Sequence, residues 1–256
     1  MSFLSVAYNL LFYVAGAILV IGLGMRIYKY AKTPAPLKIP TMPAPTTRTG
    51  VAMRLGREVV LFESLFKATK WTWLFGWLFH AGLLLAFFRH LRYGMSADNI
   101  LWPLVSNPVV QMAGKYAGFA MVLGLLGLLG RRIFVDRVRY ISAPSDYLML
   151  LLLLAIVGSG LMMTYVTHTD IVQLKAFALG LIYLNPQPVP ESAMLLGHLA
   201  MVALLMIIFP ISKLLHAPGL FFSPGRNQVD NSREKRHVAP WAAKLDATRS
   251  SGPVKP

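Results

Sequence analysis

The chain has 256 residues, 56% of them apolar and only 14% charged, with 25 Lys and Arg against 10 Asp and Glu and no cysteine. Soluble domains carry roughly a quarter charged residues, so this balance excludes an ordinary soluble domain and points to the membrane. The lack of cysteine excludes Cys-ligated iron–sulfur clusters, haem attachment through C-x-x-C-H and thiol redox chemistry within this chain.

Five apolar blocks reach the roughly 20 residues that a bilayer-crossing helix needs. They lie at 4–24, 71–89, 110–130, 145–165 and 192–215 and predict an all-α integral membrane bundle of five transmembrane helices. The first block lacks a basic region ahead of it and ends in Met25-Arg26-Ile27-Tyr28-Lys29, with no small-residue cleavage site. It therefore reads as a helix rather than a removable signal. The connection 26–70 opens with Pro34, Pro36, Pro40, Pro43 and Pro45, which forbid regular helix there. Its second half, Arg57 to Lys70, reads as one amphipathic helix at the interface. Residues 171–184 are apolar but too short to cross, and predict an interfacial or re-entrant piece. Residues 1–216 read as the membrane domain and 217–256 as a cytoplasmic basic tail. No internal repeat and no separate soluble domain is visible.

The basic residues fix an orientation. Segment 26–70 holds nine Lys and Arg, segment 131–143 four and the chain from 213 onward eight, so 21 of the 25 lie in connections that face one side of a five-span topology. That side is the cytoplasm, which puts the N-terminus in the periplasm and the C-terminus inside, in a multi-pass protein of the cytoplasmic (inner) membrane. The positive charge is thus a topology signal rather than a nucleic-acid footprint. Trp71, Trp73 and Trp102 sit near span ends, as interfacial aromatics do.

Four of the six histidines lie in or at the ends of two spans: His80 and His90 on the second, His198 and His216 on the fifth. The two spans run in opposite directions, so the residues matched in depth are His80 with His216 on the inner side and His90 with His198 on the outer. At 100° per residue, eighteen residues return His198 and His216 to one face, and ten leave His80 and His90 about 80° apart. Ten residues rise roughly 15 Å and eighteen roughly 27 Å, so straight helices cannot match both pairs, and tilt, a Pro210 kink or slanted ligand planes must absorb the difference. Ionisable residues are costly in a bilayer and tend to be functional there. Two histidine pairs at two depths suit two b-type haems, each clamped between two imidazoles and able to carry electrons but not to activate substrate. Zinc would want its ligands gathered in one tetrahedral cluster, which pairs spread across the bilayer do not supply.

Arg89 and Arg92 flank His90, and Lys213 is one turn before His216. Each is a candidate partner for a haem propionate or, equally, a cation snorkelling to the interface. Lys115 reads as a snorkelling residue or a quinone contact. His168 and Asp170, in the outer loop after span four, are solvated residues or proton carriers. His237 falls in the polar tail, Arg226 to Asn231 through Pro240 and Trp241, which suits docking of a soluble redox subunit.

The order of five spans with His80-x9-His90 and His198-x17-His216 resembles the dihaem cytochrome b subunit of respiratory nitrate reductase, the gamma family. Within that family, Phe66-Lys67-Ala68-Thr69-Lys70-Trp71-Thr72-Trp73-Leu74-Phe75-Gly76-Trp77 through His90-Leu91-Arg92-Tyr93, and Ser223-Pro224-Gly225-Arg226-Asn227-Gln228-Val229-Asp230-Asn231, are similar to the DsrM branch. That branch is the cytochrome b of the sulfite-reductase-associated Dsr membrane complex. The resemblance implies a quinone or quinol site near His90 and His198. It also implies a cytoplasmic iron–sulfur partner (DsrK-like) near His80 and His216, with further membrane and periplasmic redox subunits. Other expectations are the cytochrome b of another quinone-linked complex, of nitrate reductase, heterodisulfide reductase or hydrogenase type, and a non-redox anchor or transporter, which would be colourless.

Overall fold

The computed structural model describes residues 1–35, 37–239, 242–245 and 247. Pro36 of the first connection, and Pro240 and Trp241 of the tail, lie outside the described residues. The elements are helices α1 (Phe3–Lys32), α2 (Arg48–Leu61), α3 (Glu63–Ala68), α4 (Lys70–Leu91), α5 (Trp102–Val105), α6 (Pro108–Phe134), α7 (Asp136–Tyr140), α8 (Pro144–Met162), α9 (Ile171–Ile182), α10 (Ala193–Ile208), α11 (His216–Gly219) and α12 (Pro224–Asn227). Among the described residues there is no strand.

Five stretches are long and apolar enough to cross a membrane: Phe3–Lys32, Lys70–Leu91, Pro108–Phe134, Pro144–Thr167 and Ala193–Ile211. The chain is an all-α, multi-pass membrane protein. The helices outrun the apolar blocks because an intrahelical hydrogen-bond ladder does not stop where hydrophobicity does. α1 continues to Lys32 and closes with Thr33 N–H on the Lys29 carbonyl, just before Pro34. α6 starts where Asn107 accepts from Val109 N–H and Pro108 takes the first turn. The short apolar piece expected at 171–184 is α9, whose N-terminus is capped by Asp170 accepting from the amides of Val172 and Gln173.

Two compact units make up the chain. The first comprises Met1–Arg26 and Leu61–Leu215. Its closest helix pair is α4 with α6, which run antiparallel and meet through glycine. A Cβ on Gly82 would stand 2.8 Å from Met121 Cγ, one on Gly114 2.8 Å from the Leu85 carbonyl oxygen, and one on Gly124 2.7 Å from the Phe75 carbonyl oxygen. At Gly127 the Phe75 ring itself occupies the place of a Cβ. Membrane helices gain nothing from exchanging lipid for an equally apolar neighbour, so close backbone approach over small residues is what holds such a pair. Phe79, Met121, Leu125 and Val157 form the buried cluster where α4, α6 and α8 converge.

α1 runs parallel to α10. The Tyr8 hydroxyl donates to the Leu196 carbonyl at 2.9 Å, Gly16 faces Met206, and Gly22 leaves room for the Pro210 ring, whose Cβ stands 2.7 Å from where a side chain would begin. Near its N-terminus α1 buries Ser5 and Asn9. Ser5 Oγ accepts from Val189 N–H at 3.1 Å, and Asn9 Nδ2 donates to the carbonyls of Ser5 and Gln187 at 2.8 and 3.0 Å. At the other end of this unit the buried Asp146 joins three elements. Its carboxylate takes Lys213 at 2.7 Å and Arg132 at 3.3 Å, and accepts from the Ala143 amide at 3.0 Å.

The second unit comprises Ile27–Val60 and the chain from His216 onward. Thr47 Oγ1 caps α2 by accepting from Gly50 N–H. Arg226 pairs with Glu58, Gln228 Nε2 donates to the Leu37 carbonyl at 2.7 Å, and Asp230 N–H donates to the Pro45 carbonyl at 2.9 Å. The described part of the tail is therefore tied to the proline-rich connection.

Two expectations need correction. The helix predicted over 57–70 is broken at Phe62, whose φ of 50° and ψ of 46° are left-handed and separate α2 from α3. The predicted fifth span, 192–215, stops short: α10 ends at Ile208, passes through a tight turn Phe209–Ile211, and Ser212 is extended. Pro210 has no amide hydrogen for the ladder and its ring clashes with the preceding turn, so the helix ends there instead of kinking. His216 therefore begins the separate helix α11. The one-face rule and the 27 Å rise, both of which assume a continuous helix, do not apply to His198 and His216.

Candidate functional site

The nine residues between His80 and His90 are helical throughout, so both histidines stand on one rigid element. His80 is half-buried and its Nδ1 lies 2.7 Å from the Gly76 carbonyl oxygen. His90 Nδ1 lies 2.6 Å from the Ala86 carbonyl oxygen. A carbonyl only accepts, so in both rings Nδ1 carries the proton and Nε2 keeps the lone pair. His198 reaches the same state by a different route. Its Nδ1 lies 2.9 Å from Ser159 Oγ on α8, and that hydroxyl is itself directed at the carbonyls of Ala155 and Ile156 at 2.8 and 2.9 Å. The single serine proton goes to a carbonyl, so Oγ accepts from His198 Nδ1–H and leaves the lone pair on Nε2.

Histidines that bind iron almost always donate their second ring hydrogen to an acceptor of this kind, which fixes tautomer and orientation. His90 stands on α4 and His198 on α10. Gly160 stands beside the second ring, with His198 Cε1 3.6 Å from its would-be Cβ. His216 is exposed and belongs to the second unit.

Beside His90 is a cationic cluster. Arg92 Nη1 donates to Gln111 Oε1 and Nη2 to the Tyr93 hydroxyl, both at 2.9 Å, while its buried Nε has no hydrogen-bond partner. An orphaned guanidinium N–H suits an additional anionic acceptor such as a haem propionate. Arg89 lies over Gly114, near Tyr93 and Tyr165. The Lys115 ammonium stands 5.5 Å from the centre of the Tyr165 ring, and the Tyr165 hydroxyl donates to the Lys115 carbonyl at 3.1 Å. Tyr165 sits in a π-helical turn, Met163–Thr167, that closes the fourth span. Such turns recur at functional sites. Asp170 is engaged as the α9 cap and His168 is exposed with a left-handed backbone, φ 48°. Lys213 is held by Asp146. His237 Nε2 is 2.8 Å from Asn231 Oδ1 within the tail.

Sequence reasoning missed Ser159, Phe62 and Asp146. For Ser159 a signal existed, since a serine between Gly158 and Gly160 is a polar residue in an apolar span. Phe62 and Asp146 matter only through what folding brings to them. Among the described residues no three His, Asp or Glu side chains gather as a metal cage.

The family model described as "Nitrate reductase gamma subunit" matches residues 64–226, a stretch that includes all four histidines of the two pairs. An "Hdr-like menaquinol oxidoreductase cytochrome b-like subunit" of Archaeoglobus fulgidus is 36% identical over an alignment covering 90% of this chain and 81% of the relative. Its counterpart from Archaeoglobus profundus is 32% identical, covering 90% and 80%. The "Respiratory nitrate reductase 2 gamma chain" of Escherichia coli is 28% identical over 61% of this chain and 76% of its own length. Matched over well more than half its length, and with relatives aligned across most of theirs, the chain belongs to the nitrate reductase gamma subunit family.

Proposed function

We propose that this chain is the dihaem cytochrome b subunit of a quinone-linked membrane oxidoreductase, passing electrons between the quinol pool and a cytoplasmic iron–sulfur subunit. The observation that carries the reading is that His90 and His198, on two different membrane helices, each have Nδ1 already committed to a hydrogen bond. A haem between two imidazoles supplies one-electron transfer without an open coordination position. In this reading His90 with His198, and His80 with His216, would hold the two haems. Arg89 and Arg92 take the propionates on the outer side, where the unpartnered Arg92 Nε awaits an acceptor. Lys213, anchored by Asp146, serves the inner side.

The quinol site is assigned to the outer end, near His90, with Lys115 and Tyr165 as neighbours that would hold a carbonyl or hydroxyl oxygen. The relatives' names support menaquinol as the donor. The stretches 66–93 and 223–231 support a Dsr-type complex of sulfur metabolism, with a DsrK-like iron–sulfur partner and further membrane and periplasmic subunits. In this reading residues 1–216 form the membrane domain in the inner membrane, with the N-terminus periplasmic and the basic tail 217–256 cytoplasmic, where it meets the partner.

The test is a reduced-minus-oxidised spectrum with haem extraction on the purified chain. Two b-type haems per chain, falling to one in both His90→Ala and His198→Ala, is the expected result. A colourless protein, or a haem content indifferent to both substitutions, would refute it.

A further inference from the structure

Phe62 is a large residue in a backbone conformation that L side chains rarely adopt, φ 50° and ψ 46°, between two helices that would otherwise join. Such a geometry persists only where its surroundings over-determine it, and it is commonest where function needs it. Here the surroundings are visible. The turn at Phe62 lays α3 back against the first half of α4. Trp73 Nε1 donates to the Leu61 carbonyl at 2.7 Å, the Phe66 and Trp73 rings meet edge to face at 4.9 Å, and Leu65 Cδ2 stands 3.7 Å from the Cβ position of Gly76.

The same turn delivers the Phe62 ring to His80. Their centroids are 5.1 Å apart at 87°, an edge-to-face contact. A second such contact comes from Phe79, at 5.0 Å and 75°. Phe79 is a fixed consequence of helix α4. Phe62 arrives from another element, and only because of the left-handed turn. Together with the Nδ1 hydrogen bond to Gly76, the two rings restrict rotation of the imidazole about both of its side-chain torsions.

We propose that Phe62 is a positioning residue for the inner haem: it sets the plane of the His80 imidazole and excludes water from that side of the ligand. The inference rests on the dihaem reading above, in which His80 is an axial ligand. The orientation of an axial imidazole plane shapes the electronic levels of low-spin ferric iron, and water near the iron stabilises the ferric state, whose charge is higher. Loss of the ring therefore has a spectroscopic consequence that loss of a packing contact elsewhere would not.

The experiment uses the full chain, purified with its haems, as wild type, Phe62→Tyr and Phe62→Leu, each also in a His198→Ala background so that one low-spin signal remains. In Phe62→Leu the low-spin EPR signal of the His80 haem is expected to move and its midpoint potential to fall, while the outer haem stays as in wild type. Phe62→Tyr, which keeps the aromatic face, should behave as wild type. Selective loss of the inner haem from Phe62→Leu, with the outer one retained, would carry the same meaning. Unmoved signals in Phe62→Leu, or equal changes at both haems, would overturn the proposal. Wild-type protein without haem would instead overturn the reading on which it rests.

Discussion

Gly124 is the tightest test of how α4 is held. Replacing it by alanine adds one methyl group whose carbon would stand 2.7 Å from the Phe75 carbonyl oxygen, 2.8 Å from the Phe79 amide nitrogen and 3.0 Å from Phe79 Cβ. Two of these three are main-chain atoms of a helix, which cannot swing aside as a side-chain end can. Reaching ordinary contact at 3.4 Å requires the helices to part by about 0.7 Å at this point. Forcing one extra carbon into a filled interface costs about 1–3 kcal/mol. Alanine returns about 0.5–1 kcal/mol through its better helix propensity. The net loss is about 0–2.5 kcal/mol, centred on about 1.2 kcal/mol, a factor of about 8 in the folded-to-unfolded ratio. Gly158→Ala is the control, because nothing lies within 4 Å of that position and only the propensity gain applies. Unfolding in mixed micelles of rising SDS fraction, followed by helical circular dichroism and by haem absorbance, reads both variants. Gly124→Ala should unfold well before wild type and Gly158→Ala no earlier than it. Equal midpoints for the two variants would refute the claim that α4 and α6 are locked by backbone approach.

Ser159→Ala removes the acceptor from His198 Nδ1–H, 2.9 Å away. Losses of this kind typically weaken metal binding about 10–100-fold. Transfer of the outer haem to a scavenging apo-globin should therefore quicken by at least about tenfold while the inner haem is unaffected, and an unchanged rate would dismiss the serine. Asp146→Asn leaves Arg132 and Lys213 facing a neutral amide. Lys213 is 71% exposed, which solvent screening discounts, so the expected loss is about 1–2 kcal/mol in the same micelle titration. The double variant Asp146→Asn/Lys213→Gln should lose less than the two single losses added together, and strict additivity would mean that the pair does not interact.

The transmembrane frame was legible in the sequence because a bilayer imposes a single length scale on an apolar helix, and each of the five blocks meets it. The histidines were legible for a related reason: an ionisable group in such a block stands out against everything around it. Pro210 was equally visible, yet it reads in a sequence as a kink or as an end, and only the neighbouring Ser212, extended in the structure, decides between them. The break at Phe62 leaves no signature, since the residue is neither glycine nor asparagine, and its conformation is supported by Trp73 and His80 from another helix. The same holds for Ser159 and Asp146, whose partners lie 39 and 67 residues away. Spacing along one helix can be computed from sequence, but a contact between helices depends on how they pack.

The second unit joins pieces made at very different times. Gln228 bonds a carbonyl 191 residues earlier and Arg226 pairs with Glu58, 168 residues before it. At roughly 5–20 residues per second of synthesis, the proline-rich connection waits roughly 10–40 s for these partners, while four further spans are being made. During that interval Glu58, and the carbonyls of Leu37 and Pro45, are without the contacts that the finished chain provides. Ordering of this unit thus reports that translation has passed residue 230. A ribosome stalled before residue 226 would leave a membrane-inserted chain whose first connection had never been closed.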